Sequence, residues 1–219
     1  MTRVGLFGGT FNPIHSGHIR AAEKVRDAFD LDTLFFIPSA LPPHKPCENL
    51  ADAKDRFHMI RLATEGGAGF SVSDVEVKRP GASYTIDTAR HFKDIHGALS
   101  DVFLVVGMDA FLEIHTWKLY KELFSLTAFI VMTRFDGGVG KYLSSLGAYI
   151  QSRVSGGYGL SQGEFCFRHK TLRPVFFFDV KPLDISSTRI RSLLRSGRSP
   201  GPMLPAAVMD FINRKGLYQ

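Results

Sequence analysis

Residues 4–18 read VGLFGGTFNPIHSGH, and this stretch decides how the rest of the chain is organised. The apolar run at its start predicts a short buried strand, the pair Gly8 and Gly9 a turn, and the segment after them a helix. A junction of strand, glycine turn and helix leaves backbone N–H groups that can bind phosphate. His15 and His18 add donors that a purely structural turn does not need. The stretch therefore predicts a nucleotide-handling site.

Strands and helices alternate along the rest of the chain. Short apolar runs predict buried strands, and apolar residues at helical spacing predict helices between them. The predicted strands cover 33–37, 101–106, 128–132 and 175–178, with one or two more within 70–78. The predicted helices begin with one capped by Ser16 and continue at 51–65, 85–95, 111–124, 141–150, 184–194 and 205–215. This order indicates an α/β fold with a doubly wound, mainly parallel sheet and helices on both faces.

The size and composition suit one globular domain. The chain has 219 residues, of which 44% are hydrophobic and 22% charged, as in an ordinary protein with a full core. No internal repeat, low-complexity segment or linker marks a domain boundary. We therefore expect a single domain over 1–219, with a small helical part from about 184 to 219.

The formal charge of +6 and the pI near 9.4 raise the question of nucleic-acid binding. The basic residues are scattered, however, and no dense run or known nucleic-acid module is present. A basic pocket for phosphorylated small molecules explains the same excess of charge. We therefore expect small-molecule partners and no nucleic acid.

The two cysteines, Cys47 and Cys166, lie far apart and form no C-x-x-C pattern. Reduced thiols in a cytoplasmic protein are the simplest interpretation. The N-terminus shows no signal-peptide pattern, and no apolar run approaches the length of about 20 residues that crosses a bilayer. We therefore expect a soluble, cytoplasmic protein without membrane partners.

The spacing of the first motif excludes two common nucleotide-binding patterns. The glycines do not match G-x-G-x-x-G, and no lysine follows them as G-x-x-x-x-G-K-[ST] requires. His15 and His18 could instead hold a metal, but no third ligand stands at a suitable spacing nearby. Because both histidines follow a glycine turn at the ligand edge of the predicted sheet, phosphate contact is the favoured interpretation.

A second motif, ISSTRIR at 185–191, begins a late helix. Ser186 can cap this helix, and Arg191 lies one turn further on, where it can reach an oxyanion. A capped amphipathic helix with solvated arginines would show the same pattern. Beside the first motif, a second phosphate-binding element is the better interpretation.

The stretches 8–18 and 185–191 resemble the two signatures of the nucleotidyltransferase superfamily whose first signature ends in H-x-G-H. Four further features narrow the resemblance: LPPHK at 41–45, GASYTIDT at 81–88, Gly107-Met108-Asp109 with Trp117 after it, and Arg134. The tail, 204–218, is also similar. Together these features resemble bacterial nicotinate-nucleotide adenylyltransferases over nearly the whole chain, with 136–168 the least covered. The fold implied is the Rossmann-like nucleotidyltransferase fold.

The resemblance implies adenylyl transfer from ATP to nicotinate mononucleotide, giving deamido-NAD and pyrophosphate. It implies Mg²⁺ on the phosphates of ATP, with no metal held by protein side chains. Positioning and charge stabilisation would supply most of the catalysis. The implied ATP site comprises the catalytic residues His15, His18 and Arg191, with Gly8, Gly9, Thr10, Phe11, Gly107, Asp109, Ser187 and Thr188 binding the nucleotide.

The resemblance also implies a site for the mononucleotide. Trp117 would stack on the pyridine ring, and the neighbourhoods of Tyr84, Thr85 and Trp117 would supply donors to its carboxylate. Lys45 and Arg134 would neutralise the substrate phosphates. Each of these residues also has a plain structural interpretation: a single tryptophan is more often part of the core or its rim than a stacking platform.

Alternative functions remain open from the sequence. An adenylyltransferase acting on nicotinamide mononucleotide or phosphopantetheine would carry the same two signatures. A non-catalytic nucleotide-binding module is an alternative of a different class, although binding alone does not require the full set of histidines, hydroxyls and arginine. The oligomeric state is not predicted.

Overall fold

The computed structural model describes residues 1–41, 50–97, 99–133, 139–161, 164–180 and 184–219. The chain divides into two compact units. The first unit comprises Met1–Leu6 and Tyr84–Lys181, and the second comprises Phe7–Ser83 and Pro182–Gln219. The expectation of one domain with a small helical part from about 184 stays a prediction.

Strands and helices alternate as the sequence indicates. The strands are β1 (Arg3–Gly9), β2 (Thr33–Pro38), β3 (Phe70–Val72), β4 (Asp101–Gly107), β5 (Ala128–Thr133), β6 (Gly159–Leu160), β7 (Cys166–Arg168) and β8 (Val175–Asp179). The α-helices are α1 (Ser16–Ala28), α2 (Ala53–Thr64), α3 (Val75–Lys78), α4 (Thr85–His96), α5 (Met108–Leu112), α6 (Tyr120–Leu126), α7 (Val139–Arg153), α8 (Ser187–Arg195) and α9 (Ala206–Lys215). Short 3₁₀ turns lie at Ile114–Thr116 and Gly201–Met203.

The strands of each unit are ordered by parallel pairing. In the second unit the order is β3-β2-β1, and β2 and β3 run parallel with Leu34 opposite Phe70. In the first unit the order is β1-β4-β5-β8-β7-β6. There β4, β5 and β8 are parallel, and β7 and β6 add an antiparallel edge. The prediction of a mainly parallel sheet with helices around it is confirmed.

The interior strands are buried because their sequences are almost continuously apolar. Val4 and Leu6 of β1, and Phe129 and Ile130 of β5, are essentially inaccessible to solvent. Gly8 and Gly9 follow this buried run directly, at the carboxyl end of β1, where Gly8 is exposed.

One local prediction, the cap of α1, is wrong, and those for 70–78 and 111–124 hold only in part. Residues 70–78 form a strand only over Phe70–Val72. The following Val75–Lys78 is a short helix, in which the backbone N–H of Lys78 donates to the carbonyl of Asp74 and its side chain pairs with the Asp74 carboxylate at 2.9 Å. The local i,i+4 contacts favour a helical turn over the alternating pattern.

Residues 111–124 are mostly helical, as predicted, but Leu119 adopts the left-handed backbone region at φ 51° and separates the 3₁₀ turn from α6. The cap of α1 is His15 and not Ser16: His15 has extended φ and ψ, and its carbonyl accepts the backbone N–H groups of His18 and Ile19. No helix in the described ranges has both the length and the apolar content that a membrane span requires.

Candidate active site

The glycine turn of the second unit closes on an aromatic ring. Phe11 is buried and adopts φ 47°, which turns its ring back over Gly9. A Cβ atom at position 9 would lie 2.9 Å from Cζ of that ring, so only glycine fits there. A Cβ at Gly8 would meet nothing within 4 Å. The backbone at Gly8 is therefore open to a ligand, with the half-buried Thr10 nearby in sequence.

The two histidines stack at the start of α1. The ring centroids of His15 and His18 lie 3.6 Å apart at an interplanar angle of 23°. The backbone N–H of His15 donates to Nδ1 of His18 at 3.3 Å. Because Nδ1 of His18 accepts this bond, its ring proton is on Nε2, and the opposite edge of the imidazole presents an N–H donor. That donor is suited to a phosphate oxygen.

Burial controls the charge of His15. The side chain is 6% exposed, and burial lowers the pKa of His15 from 6.5 to about 4. Desolvation disfavours the imidazolium form, so the ring is neutral near pH 7. A neutral imidazole stacked on His18 can donate or accept a hydrogen bond without adding a buried charge to the site.

Gly17 sets the space around the His15 ring. A Cβ at position 17 would lie 3.1 Å from Nδ1 of His15, 3.2 Å from its Cε1 and 3.7 Å from Cβ of Ile185. The glycine of H-x-G-H thus allows the first signature to pack against the residues that open the second.

We expect Gly17→Ala to lower kcat by about tenfold, because the added methyl group displaces the His15 ring from its stacked position. Steady-state assays of adenylyl transfer measure the effect. Gly156→Ala is the matched control, since a Cβ there would meet nothing within 4 Å and φ is not in the left-handed region. An unchanged kcat in Gly17→Ala would show that the ring position does not matter.

Acidic pH is expected to destabilise the protein through His15. Its pKa is 6.5 unfolded and about 4 folded, so the unfolded state binds the proton first as pH falls. The stabilisation is fully present above pH 6.5 and is lost between pH 6.5 and 4, for about 3 kcal/mol in total. Urea unfolding at pH 7.5 and pH 4.5 measures it, and His15→Asn should remove most of this dependence. A dependence of equal size in that variant would contradict the assignment.

The second signature lies against the first within the same unit. The Ser186 side chain accepts the N–H of Arg189 at 3.2 Å, which confirms the predicted cap of α8. Ser187 Oγ donates to the carbonyl of Pro13 at 2.9 Å. In Arg191, Nη1 donates to the carbonyl of Asn12 at 2.8 Å. The start of α8 is therefore joined directly to the loop between the glycine turn and α1.

Arg191 also reaches along its own helix, where Nη2 donates to Thr188 Oγ1 at 3.3 Å. Thr188 is exposed, and Ser187 and Arg191 are half-buried. The structure thus brings together imidazoles, hydroxyls, a guanidinium and open backbone at Gly8. This donor set, without a nucleophile activated by a neighbouring base, is suited to holding a polyphosphate.

The end of the glycine turn is hydrogen-bonded to a buried arginine that the sequence analysis missed. Arg56 of α2 is 0% exposed, and its guanidinium donates to the carbonyls of Thr10 at 2.7 Å, Ala51 at 2.8 Å and Ala40 at 3.2 Å. Burial lowers the pKa of its guanidinium. Arg56 lies on the apolar face of α2, one turn before Met59 and Ile60. A charged residue at such a position could have been identified from the sequence as a buried arginine.

Five of the residues predicted to bind the mononucleotide or ATP lie in the first unit: Tyr84, Thr85, Gly107, Asp109 and Trp117. Tyr84 precedes α4 and Thr85 begins it, whereas Gly107 precedes α5 and the exposed Asp109 lies in its first turn. The half-buried Trp117 ends the 3₁₀ turn with an extended backbone.

A cation lies beside two of these residues. Lys118, next to Trp117 in the chain, holds its ammonium 4.5 Å from the ring centroid of Tyr84 and 3.3 Å from the Asp87 carboxylate. Tyr84 is therefore brought close to the segment that follows Trp117. Lys45 and Arg134 lie outside the described residues.

Among the described residues, no group of three or more His, Cys, Asp or Glu side chains could hold a metal ion. Cys166 is a buried free thiol, and burial raises its pKa to about 11. Cys47 is not described.

Comparison with known proteins identifies the family of the chain. A family model described as cytidylyltransferase-like matches residues 6–193. A protein of Desulfatibacillum aliphaticivorans is 41% identical over 99% of each chain, and one of Geobacter sp. (strain M21) is 40% identical over 99% of this chain and 98% of its own. Both are described as probable nicotinate-nucleotide adenylyltransferases.

Solved structures share the fold. Plasmodium falciparum nicotinic acid mononucleotide adenylyltransferase complexed with NaAD matches with a TM-score of 0.73 and 16% identity, covering 100% of this chain and 98% of its own. The same protein complexed with APC matches with a TM-score of 0.71. With 41% identity along the full length of a relative and a family model spanning both signatures, the chain belongs to the cytidylyltransferase-like proteins and, among them, to the nicotinate-nucleotide adenylyltransferases.

Proposed function

We propose that this chain transfers the adenylyl group of ATP to nicotinate mononucleotide, forming deamido-NAD and pyrophosphate in NAD biosynthesis. One observation carries the proposal: Ser187 and Arg191 of the second signature are hydrogen-bonded to the loop that leads into His15 and His18. Donors from both signatures thus face one site in the second unit. The curated relatives are named for the same reaction.

The reaction requires charge stabilisation more than covalent chemistry. A phosphate oxygen of the mononucleotide attacks the α-phosphorus of ATP, and the bond from that phosphorus to the oxygen bridging the β-phosphate breaks. The electron pair leaves with pyrophosphate. In our proposal the Nε2–H of His18 donates to an oxygen on the transferring phosphorus, where negative charge develops. Neutral His15 assists at the same phosphates, and Gly8, Gly9 and Thr10 bind them through backbone or hydroxyl groups.

The leaving group is held by the second signature. Arg191 offers a guanidinium whose direction is set by the Asn12 carbonyl, and Ser187 and Thr188 offer hydroxyls. A fixed guanidinium loses little conformational freedom on binding an oxyanion and therefore serves as a preorganised partner for pyrophosphate.

Substrate selection is assigned to the first unit. We propose that Trp117 stacks on the pyridine ring and that the segments at Tyr84, Thr85 and Lys118 supply donors to its carboxylate. Gly107 and Asp109 are assigned to the ribose of ATP, and Lys45 and Arg134 to the substrate phosphates.

We propose that the divalent metal reaches the site bound to ATP. The donors at the site are imidazoles, hydroxyls and a guanidinium, which suit phosphate oxygens better than they suit Mg²⁺, a cation that prefers carboxylate, phosphate and water oxygens. Mg²⁺ bound to the phosphates of ATP would neutralise part of their charge. We also propose that the protein works in the cytoplasm, where ATP is supplied, and that its partners are these two small molecules and no nucleic acid.

Pyrophosphate release from ATP, with nicotinate mononucleotide as acceptor, tests the proposal. We expect turnover with this acceptor, none without it, and a lower kcat/KM for nicotinamide mononucleotide, because an amide would turn its own N–H₂ toward donors. Equal kcat/KM for the two acceptors would contradict acid specificity. ATP binding without turnover on either mononucleotide or phosphopantetheine would favour a nucleotide-binding module.

A further inference from the structure

The C-terminal end of the chain returns to the phosphate site. Helix α9 ends at Gly216, which adopts φ 61°, and Tyr218 follows at φ 65°, a region that tyrosine rarely adopts. The two left-handed residues turn the chain so that the Tyr218 hydroxyl donates to Oδ1 of Asn12 at 2.7 Å. The penultimate residue of the sequence thus contacts the loop of the first signature, 206 positions away.

Asn12 connects the Tyr218 hydroxyl to the candidate catalytic groups. The residue is 8% exposed, and its Oδ1 also accepts the backbone N–H of Ala51 at 3.1 Å. Its main-chain carbonyl accepts Nη1 of Arg191 at 2.8 Å. The side chain of Asn12 is therefore anchored by Tyr218 and Ala51, while its backbone sets the direction of Arg191.

The Tyr218 hydroxyl stays protonated in its buried environment and so remains a hydrogen-bond donor. Burial raises its pKa above the ordinary value, while the neighbouring guanidinium groups of Arg56 and Arg191 oppose that shift and Asp55 adds to it. The helix that precedes the tyrosine, α9, is joined to α2 by Lys215 and Asp55, whose Nζ and Oδ1 atoms lie 3.3 Å apart. The phenol is thus held in a neutral state beside two cations that flank the loop.

We propose that Tyr218 is a positioning residue for adenylyl transfer. Its hydroxyl fixes the Asn12 amide, and Asn12 in turn fixes the Arg191 guanidinium that receives the leaving pyrophosphate. Without the hydroxyl, Oδ1 of Asn12 loses one of the two donors described for it, and the loop is held less firmly at the residue that contacts Arg191. The inference rests on the proposed function for the role of Arg191, and it adds the C-terminus to the active-site structure.

Tyr218→Phe tests this role with the ring retained. We expect kcat to fall about tenfold, with a parallel loss of affinity for pyrophosphate measured by titration calorimetry. Tyr158→Phe is the matched control: its hydroxyl donates to the Arg173 carbonyl at 2.7 Å and the residue is 1% exposed, so the variant loses an equivalent buried bond within the first unit, whereas Asn12 belongs to the second. The control should lower the melting temperature and leave kcat within about twofold.

A double-mutant cycle distinguishes positioning of Arg191 from a general loss of stability. In an Arg191→Ala background, Tyr218→Phe should cause no further loss of kcat or of pyrophosphate affinity, because its effect passes through Arg191. Additive losses, or an unchanged kcat in Tyr218→Phe alone, would overturn the proposal.

The pyrophosphate titration also separates this inference from the proposed function. A wild-type protein that fails to use nicotinate mononucleotide, yet binds pyrophosphate more tightly than Tyr218→Phe does, would refute the function and uphold the positioning role. Equal pyrophosphate binding by the two proteins would refute the positioning role, whatever the acceptor.

Discussion

His18→Ala is expected to lower kcat by about 10²–10³, while the affinity for ATP changes little. The reason is the fixed tautomer of His18: the bond from the His15 N–H to Nδ1 leaves Nε2–H as a preorganised donor. A donor that strengthens its contact as charge develops contributes to the transition state more than to ground-state binding. Steady-state kinetics and ATP titration on the same preparation measure both quantities.

His91→Ala is the control for this substitution, because His91 lies exposed on α4 and contacts only the neighbouring Phe92 ring among the contacts described for it. Its kcat should match that of the unsubstituted protein. His18→Gln, which keeps a side-chain N–H donor, should recover part of the activity. A loss in His18→Ala confined to KM would count against a catalytic role.

Arg56→Met is expected to lower the free energy of unfolding by about 3 kcal/mol. The substitution leaves the carbonyls of Thr10, Ala40 and Ala51 without their buried donor, and each such loss is costly. The substitution also removes a buried charge and the cost of its desolvation, which offsets part of the loss. Because Thr10 belongs to the glycine turn, kcat should fall as well. Urea unfolding and steady-state assays measure the two effects.

Arg61→Met is the matched control on the same helix, since Arg61 is exposed. Its stability should change by less than about 0.5 kcal/mol. Arg56→Lys keeps the charge, but an ammonium group cannot reach three carbonyls as the forked guanidinium does. Its free energy of unfolding should therefore lie between those of Arg56→Met and Arg61→Met. A stability loss in Arg56→Met no greater than that in Arg61→Met would show that the three hydrogen bonds contribute nothing net.

Local pattern predicted the elements well where it was long and periodic. The strand at 101–106 and the helix at 205–215 are observed as β4 and α9 within a residue or two. Prediction failed where a few contacts compete with the pattern, as at 75–78, or where one residue takes an unusual φ, as at Leu119. The edge strands β6 and β7 are two and three residues long and leave almost no pattern to detect.

The chemistry of the candidate site was likewise accessible from local sequence. The motifs at 8–18 and 185–191 specify the residue types, and the cap by Ser186 follows from the serine alone. The supporting residues Asn12, Arg56 and Tyr218 were not predicted as a group. Each is an ordinary residue in its own segment, and only their common contacts with the loop give them a role.

By itself, the sequence VGLFGGTFNPIHSGH determined a strand, a tight turn and a histidine-bearing helix, because apolar runs, glycine and helical spacing act over a few residues. The tertiary structure alone decided that Arg191 meets Asn12, that Arg56 closes on Thr10 and that Tyr218 returns to the loop. Those pairs are 179, 46 and 206 positions apart. Such contacts form only when the folded core excludes water and buried polar groups must find partners, and no local pattern records that requirement.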